Sequence, residues 1–420
     1  MPLARTFVRR PRAIVAHAIW GRGGAEAAAM WTIAALAEDF DVTVHSRGGF
    51  ELSELNKLAG TTLSPRQVRL QKDHFANRLS VGSLAHGAYV RALPKVGADY
   101  DLRVTASGVL RWGLPAVHFI SSAIWNEALS EELHAPTAPS KRDWRQRLSS
   151  AVVSATSGER RRYLDHDIFV ANSHWTREQS APYCPGLIEV IHPAVPQAGP
   201  GLPWDQREDA VLVFGRLAPE KRIESCIRIV EQARKRGLSA RLVIAGPSDG
   251  THYSAHVSEL CLARREWVEL LPAHIAEDKA QLLGRMRYGL SACKIEAFGI
   301  ATAEMAAAGV LVLVPTGCGQ TEIVTDPRLQ YESEEEAITK LLALQNAPPS
   351  LALSQCEAQR RFSPRVYMNA VRQLAGATLH NNLIQPQLQS FDRWKTGWIR
   401  EQCGESGGDL PGDLPTNKRD

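Results

Sequence analysis

Short apolar runs alternate through most of the chain with longer stretches whose apolar residues recur every three or four positions. That rhythm predicts buried strands joined by crossover helices, the pattern of a doubly wound parallel sheet. AIVAHAI at 13–19 leads through a glycine turn into the helix AEAAAMWTIAALAEDF and then the strand DVTVH at 41–45, one βαβ unit. YDLRVTASG, LPAVHFIS and DIFVANS (167–173) predict further strands, whereas residues 48–98 are less periodic and 126–165 read as a basic helical excursion. A stretch rich in proline and glycine, PAVPQAGPGLPW at 193–204, is the best linker. Beyond it the rhythm restarts with AVLVFG, a helix IESCIRIVEQARKRG, ARLVIAG, WVELL, a helix EDKAQLLGRMR, YGLSA, a helix FGIATAEMAAAG, VLVLVP, and a turn into a helix at QTEIV.

The expected architecture is therefore α/β: two Rossmann-like doubly wound domains facing across a cleft, with boundaries at 1–198 and 199–380. Residues 381–420 are expected to hold a candidate crossing helix and then a disordered tail. Phe391, Trp394, Trp398 and Ile399 share a helical face within 388–402, and the end is polar and carries the duplication GDLPGDLP.

Composition narrows the function classes. The 49 Lys and Arg against 45 Asp and Glu give a formal charge of +4, too even a balance for a dedicated nucleic-acid binder. With 44% hydrophobic and 22% charged residues the chain is globular rather than disordered. Seven cysteines without a C-x-x-C pair predict reduced thiols and a cytoplasmic protein. The apolar run AAAGVLVLV at 306–314 is far below the ~20 residues that span a bilayer. The basic, then apolar start is expected to be a buried strand rather than a signal peptide.

Ligands of such sheets sit at the carboxyl ends of the strands, so the strand-to-helix loops are where chemistry is expected. GRGGAE at 21–26 offers glycine amides at a helix start, a place for an oxyanion or simply a structural turn. In GRLAPEKRIE, Arg216 and Lys221 could converge on a polyphosphate; the alternative is a solvated loop. In KIEAFGIATAEMAAAG, Glu296 and Glu304 stand eight positions apart, and the amides of Phe298, Gly299 and Ile300 open the following helix. A carboxylate in so apolar a segment needs partners, for which ribose hydroxyls are suited, or else lies on an exposed face. No His, Cys and Asp spacing suggests a metal site.

Taken in order, GRGGAE, FVANSHWTREQ, EVIHPAV, GRLAPEKRIE, RLVIAG, EAFGIATAE and GCGQTEIV resemble the motifs of glycosyltransferase family 4, retaining sugar-nucleotide enzymes with the GT-B fold. The resemblance spans residues 11–378 and is nearest to the lipid-linked-oligosaccharide mannosyltransferase-like branch. It implies a retaining, metal-independent hexosyltransferase that uses a GDP- or UDP-linked sugar as donor substrate, needs no cofactor, and acts on a sugar or lipid-linked acceptor. It implies that residues 1–198 bind the acceptor and residues 199–380 the nucleotide sugar, that Arg216, Lys221, Gly23, Gly24, Phe298, Gly299 and Ile300 bind the donor diphosphate, that Glu304 binds the ribose, and that Glu296 and His118 face the donor sugar. Two other readings stay open, another GT-B sugar-nucleotide enzyme such as an epimerase, and a non-catalytic sugar-nucleotide-binding partner in a glycan assembly complex. Arg5, Arg9, Arg10 and Arg12, with Lys141, Arg142, Arg145, Arg147, Arg160, Arg161 and Arg162, form basic clusters that could meet an anionic membrane at its inner face or lie on a solvated helix.

Overall fold

The computed structural model describes residues 9–21, 23–79, 81–122, 144–157, 166–184, 186–196, 199, 201–248, 250–271 and 279–383, with the side chains of 144–147, 150 and 381–383 left aside. The expectations placed on Arg5, Lys141, Arg142, Arg160, Arg161, Arg162, the seventh cysteine Cys403, the 388–402 face and the tail, and on the Arg145 and Arg147 side chains, lie outside those residues.

Two parallel sheets follow one another along the chain. The first has seven strands, β1 (Arg12–Ala16), β2 (Asp41–Ser46), β3 (Val68–Lys72), β4 (Leu102–Thr105), β5 (Val117–Ile120), β6 (Ile168–Ala171) and β7 (Ile188–Val190). They lie in the order β3-β2-β1-β4-β5-β6-β7. The second has six, β8 (Glu208–Phe214), β9 (Arg241–Ala245), β10 (Val268–Leu271), β11 (Met286–Leu290), β12 (Leu311–Pro315) and β13 (Gln330–Tyr331), in the order β10-β9-β8-β11-β12-β13. In both, the order runs outward one way and then reverses beside the first strand. That reversal opens a crevice at the carboxyl end of β1 and of β8.

The central strands are apolar at successive positions because both faces are covered by helices. Ala13, Ile14, Val15 and Ala16 of β1, and Ala210, Val211 and Leu212 of β8, are wholly buried. Each sheet also carries a buried arginine that, among the described residues, hydrogen-bonds to backbone carbonyls. Arg103 donates to Gly97, Tyr100 and Pro115, and Arg207 donates to Leu202, Met286 and Ala308. Burial lowers the pKa of both guanidiniums, yet so basic a group stays charged, and the carbonyls replace lost water.

Several elements differ from the sequence reading. β1 ends at Ala16, although the His17 amide still reaches the His45 carbonyl at 3.1 Å. The weakly patterned 48–98 region holds three helices and the edge strand β3, which has one face against solvent and so lacks a continuous apolar run. QTEIV forms only a 3-10 turn, Gly319–Glu322, instead of a helix. Both sheets belong to one compact unit, Met1–Arg372, and Gln373–Asp420 form a second. Within the first unit, residues 364–372 already return to the first sheet's layer. Tyr367 hydroxyl lies 2.7 Å from that of Thr32, and Arg372 pairs with Glu38 and Asp39.

Candidate active site

The loop after β8 runs through Gly215 and Arg216 into a 3-10 turn, Pro219–Lys221, and then the helix Ile223–Lys235. Arg222, at the junction, is left-handed with φ 49, the one non-glycine with positive φ among the described residues. Arg216 reaches forward to Glu220 at 2.6 Å and is 58% exposed. Lys221 turns inward onto the Glu296 carboxylate. Burial opposes charge on Lys221, but Glu296 and Glu220 outweigh it and raise its pKa, so the ammonium is fully charged at neutral pH.

Glu296 stands in the loop between β11 and the helix Ile300–Ala307, and that loop is braced from three sides. Gly319 N–H donates to the Glu296 carbonyl at 2.8 Å. The wholly buried Gln320 donates to the Cys293 carbonyl at 3.0 Å and accepts from the Thr302 hydroxyl at 2.7 Å. From the first sheet, the hydroxyls of Ser173 and Thr176 donate to the Ala297 carbonyl. Two glycines are required here. Gly299 has φ 100, and a Cβ on it would come 3.0 Å from Gln320. A Cβ on Gly319 would lie 2.0 Å from the Ala297 oxygen, an impossible distance.

Glu304 sits one turn into the helix, its side chain 12% exposed, and accepts from Lys279 Nζ at 2.6 Å. Phe298 is buried against His192 and Phe362 rather than open to a ligand, so any contribution it makes to an anion comes from its backbone. Ile300 begins the helix and meets Gly24, whose hypothetical Cβ would be 3.1 Å from Ile300 Cδ1. The glycine loop of the first sheet therefore abuts the helix start of the second. Gly23 N–H is already engaged, donating to Glu26 Oε2 at 2.9 Å, while Gly21 N–H donates to Oε1 at 3.2 Å.

His118 is placed differently from the expectation that it faces the donor. It lies within β5, wholly buried, with Nδ1 3.1 Å from the Thr105 hydroxyl, Nε2 3.3 Å from Asp167, and its ring stacked on Phe169. That is the setting of a core histidine. Strand register places it beside Thr105 on the same face of the sheet.

Three residues matter that the sequence reading did not single out. Lys279 is one, the partner of Glu304. Ser173 is another, visible in FVANSHWTREQ as a helix N-cap but not as a brace. The third is Glu322 in GCGQTEIV, which accepts from the amides of His174 and Trp175 at 3.0 and 2.9 Å and from His192 Nε2 at 2.8 Å. It thereby ties the turn after β12 to the helix His174–Ser180 that follows β6. His174, His192 and Glu322 are also the one group of ligand atoms within 4.8 Å of one another among the described residues, a juxtaposition that spacing along the chain does not reveal. With three donors already on the carboxylate, the group acts as a clamp between the two sheets.

Burial opposes ionisation of Glu322, but the hydrogen bonds from His192 and the two amides prevail and hold its pKa below the ordinary value. A depressed carboxylate stabilises the fold above its unfolded pKa and loses that contribution as pH falls through the folded one. Glu322→Gln should lower unfolding free energy by about 1–3 kcal/mol at pH 7. The gap between parent and variant should close in acid. Urea denaturation at both pH values measures it, and a gap unchanged in acid would show that the charge is not what clamps the helix.

Residues 208–346 match the family model Glycosyl transferases group 1. No curated protein sequence matches the chain significantly. Solved structures do share its fold. The Anabaena protein HepE, in complex with UDP and glucose, superposes with a TM-score of 0.62 at 16% identity over 88% of this chain and 100% of its own. Sucrose-phosphate synthase from Thermosynechococcus elongatus gives 0.64 at 15% identity over 89% and 99%. WaaG, a glycosyltransferase involved in lipopolysaccharide biosynthesis, gives 0.58 at 16% over 86% and 99%. The chain thus has the two-domain Rossmann-like fold of GT-B glycosyltransferases, and its second domain matches the glycosyl transferases group 1 family.

Proposed function

We propose that this protein is a retaining, metal-independent glycosyltransferase of family 4 that moves a hexosyl group from a nucleoside-diphosphate sugar to a sugar or lipid-linked acceptor. The observation that carries the reading is the Lys221–Glu296 pair at the mouth of the second sheet, 75 residues apart in sequence, with Arg216 on the same loop. A diphosphate leaving group gains negative charge as the glycosidic bond breaks. A fully charged ammonium held at that point stabilises the developing charge, where electrostatic catalysis is most effective. Glu296 would meet the sugar and Glu304 the ribose, with the amides at Gly299 and Ile300 toward the phosphates. In a retaining front-face reaction the departing diphosphate itself would assist in taking the acceptor proton.

The matched HepE structure holds UDP and glucose, which supports a uridine donor. The motif resemblance supports a guanosine donor and mannose. Release of nucleoside diphosphate from a panel of GDP- and UDP-sugars tests the reading. Turnover with one of them is expected; tight binding with no release would make the chain a sugar-nucleotide binder instead.

No helix among the described residues is long and apolar enough to cross a membrane. Peripheral contact through the basic clusters belongs to the same proposal. Changing Arg160, Arg161 and Arg162 together to Ser should abolish cosedimentation with anionic vesicles at low salt. A parent protein that stays in the supernatant at low salt would point to a soluble acceptor.

A further inference from the structure

Three ligating side chains from distant parts of the chain meet where the two sheets adjoin. His174 opens the helix His174–Ser180 after β6, His192 follows β7, and Glu322 closes the 3-10 turn Gly319–Glu322 after β12. One ligand atom of each lies within 4.8 Å of the other two. His192 Nε2 is 2.8 Å from Glu322 Oε2, and the two imidazole rings stand 5.7 Å apart at 63°. The side chains of His192 and Glu322 are 17% and 19% exposed, and His174 is exposed, so an ion in solvent can reach the group.

The clamp described above uses the amide of His174 but not its ring. Glu322 is meanwhile held as a ligating carboxylate is held. The amides of Trp175 and His174 fix Oε1 and Oε2 at 2.9 and 3.0 Å, the outer-shell support that orients such a group toward an ion. An ionised carboxylate has capacity for about four donors, so a position is left. The His192 ring is fixed on its other side by Phe298 and Phe362, with centroids at 5.6 and 5.1 Å. Ligand atoms at about 2.0–2.1 Å from a tetrahedral ion stand about 3.4 Å from one another. The 2.8 Å His192–Glu322 contact therefore opens slightly on binding, and the exposed His174 ring swings inward to a neighbouring rotamer.

We propose that His174, His192 and Glu322 bind one zinc ion that bridges the two domains, with water as its fourth ligand. Two imidazoles and a carboxylate form a donor set suited to Zn2+, whereas Mg2+ and Ca2+ take oxygen ligands. As Nε2 of His192 binds the ion, the neutral ring moves its proton to Nδ1, and the ion replaces that proton between His192 and Glu322. The ion takes no part in glycosyl transfer, so the site stands whether or not that reading holds. Its effect is mechanical. The turn it grips carries Gln320, which braces the loop of Glu296 through the Cys293 carbonyl. The helix it grips carries Thr176 and follows Ser173, whose hydroxyls hold the Ala297 carbonyl of the same loop. Occupancy therefore stiffens the contact by which the first domain braces the loop of Glu296.

Co2+ serves as the spectroscopic probe for Zn2+, on the untagged full chain after treatment with a chelator. One equivalent should give the intense visible bands of a four- or five-coordinate site, and Zn2+ should bleach them. Zn2+ at about 100 times its dissociation constant should raise Tm by about 5 °C. His174→Ala removes one ligand and leaves the two amides and His192 on Glu322. Its Co2+ affinity should fall at least about 100-fold, since loss of an outer-shell partner alone costs about ten- to 100-fold. His174→Cys should restore binding and add a sulfur-to-cobalt charge-transfer band, a signature that a merely structural role for His174 does not produce. X-ray absorption of the zinc-loaded parent needs no variant and should show nitrogen and oxygen at about 2.0–2.1 Å. A parent that takes up neither ion, unchanged Co2+ bands in His174→Ala, or sulfur at about 2.3 Å in the zinc shell of the parent would each overturn the site.

Discussion

Replacing Lys221 with alanine should weaken binding of nucleoside diphosphate by about ten- to 150-fold and cut turnover, with the fold intact. A charge-assisted bond to a phosphate contributes about 1.5–3 kcal/mol, and tenfold corresponds to about 1.4 kcal/mol. The structure adds a second cause. Lys221 neutralises Glu296 across the loops, so its removal leaves that carboxylate facing the diphosphate without a counter-charge. The double variant Lys221→Ala/Glu296→Gln separates the two. If repulsion from Glu296 is part of the loss, the double variant should bind nucleotide better than Lys221→Ala alone. Arg216→Ala should cost less, since its side chain is 58% exposed and occupied by Glu220, and solvent screens such pairs strongly. Isothermal calorimetry decides the matter. A Lys221→Ala protein that binds as tightly as the parent would mean that the loop after β8 is a structural ion pair and not a donor site.

The two glutamates should separate in the opposite sense. Glu304→Gln should weaken binding of plain nucleoside diphosphate by about tenfold, because a ribose is present in donor and product alike and an ionised acceptor is lost. Its partner Lys279, 2.6 Å away, keeps the Glu304 carboxylate oriented in the parent. Glu296→Gln should leave nucleoside diphosphate binding unchanged or slightly tighter, since Lys221 is released from its carboxylate partner and its charge is offered to the phosphates. Turnover with the intact sugar donor should nonetheless fall by about 100-fold, an effect confined to the reacting sugar. Paired measurements of nucleotide affinity and kcat make the comparison. Equal loss of nucleotide binding in the two variants would show that Glu296 serves the nucleotide and does not face the sugar.

The parallel sheets were legible because a strand covered on both faces must be apolar at every position, as in Ile14 and Val15 or Leu212 and Val213, and because glycine loops mark where each strand gives way to a helix. Edge strands escaped for the converse reason: β3, β7 and β13 are short or half-solvated, and nothing in VRLQK or IEV forces burial. The glycines of the braced loop were readable as turns, although only the structure shows that a Cβ on Gly319 would lie 2.0 Å from the Ala297 carbonyl oxygen.

What the chain could not declare locally was which charges meet. Lys221 and Glu296, Lys279 and Glu304, and Glu322 with the helix at His174 lie 25 to 148 residues apart, brought together only when strands pair in register and the loops at their carboxyl ends converge. His118 shows the same limit from the other side, a titratable residue near a strand end whose pairing with Thr105 and Asp167 sends it into the core. Hydrophobic periodicity is a local property and determined the strands, the crossover helices and the loops that carry the polar motifs. Burial and ion pairing depend on contacts between distant segments, so the tertiary structure alone decided which of those polar residues face one another.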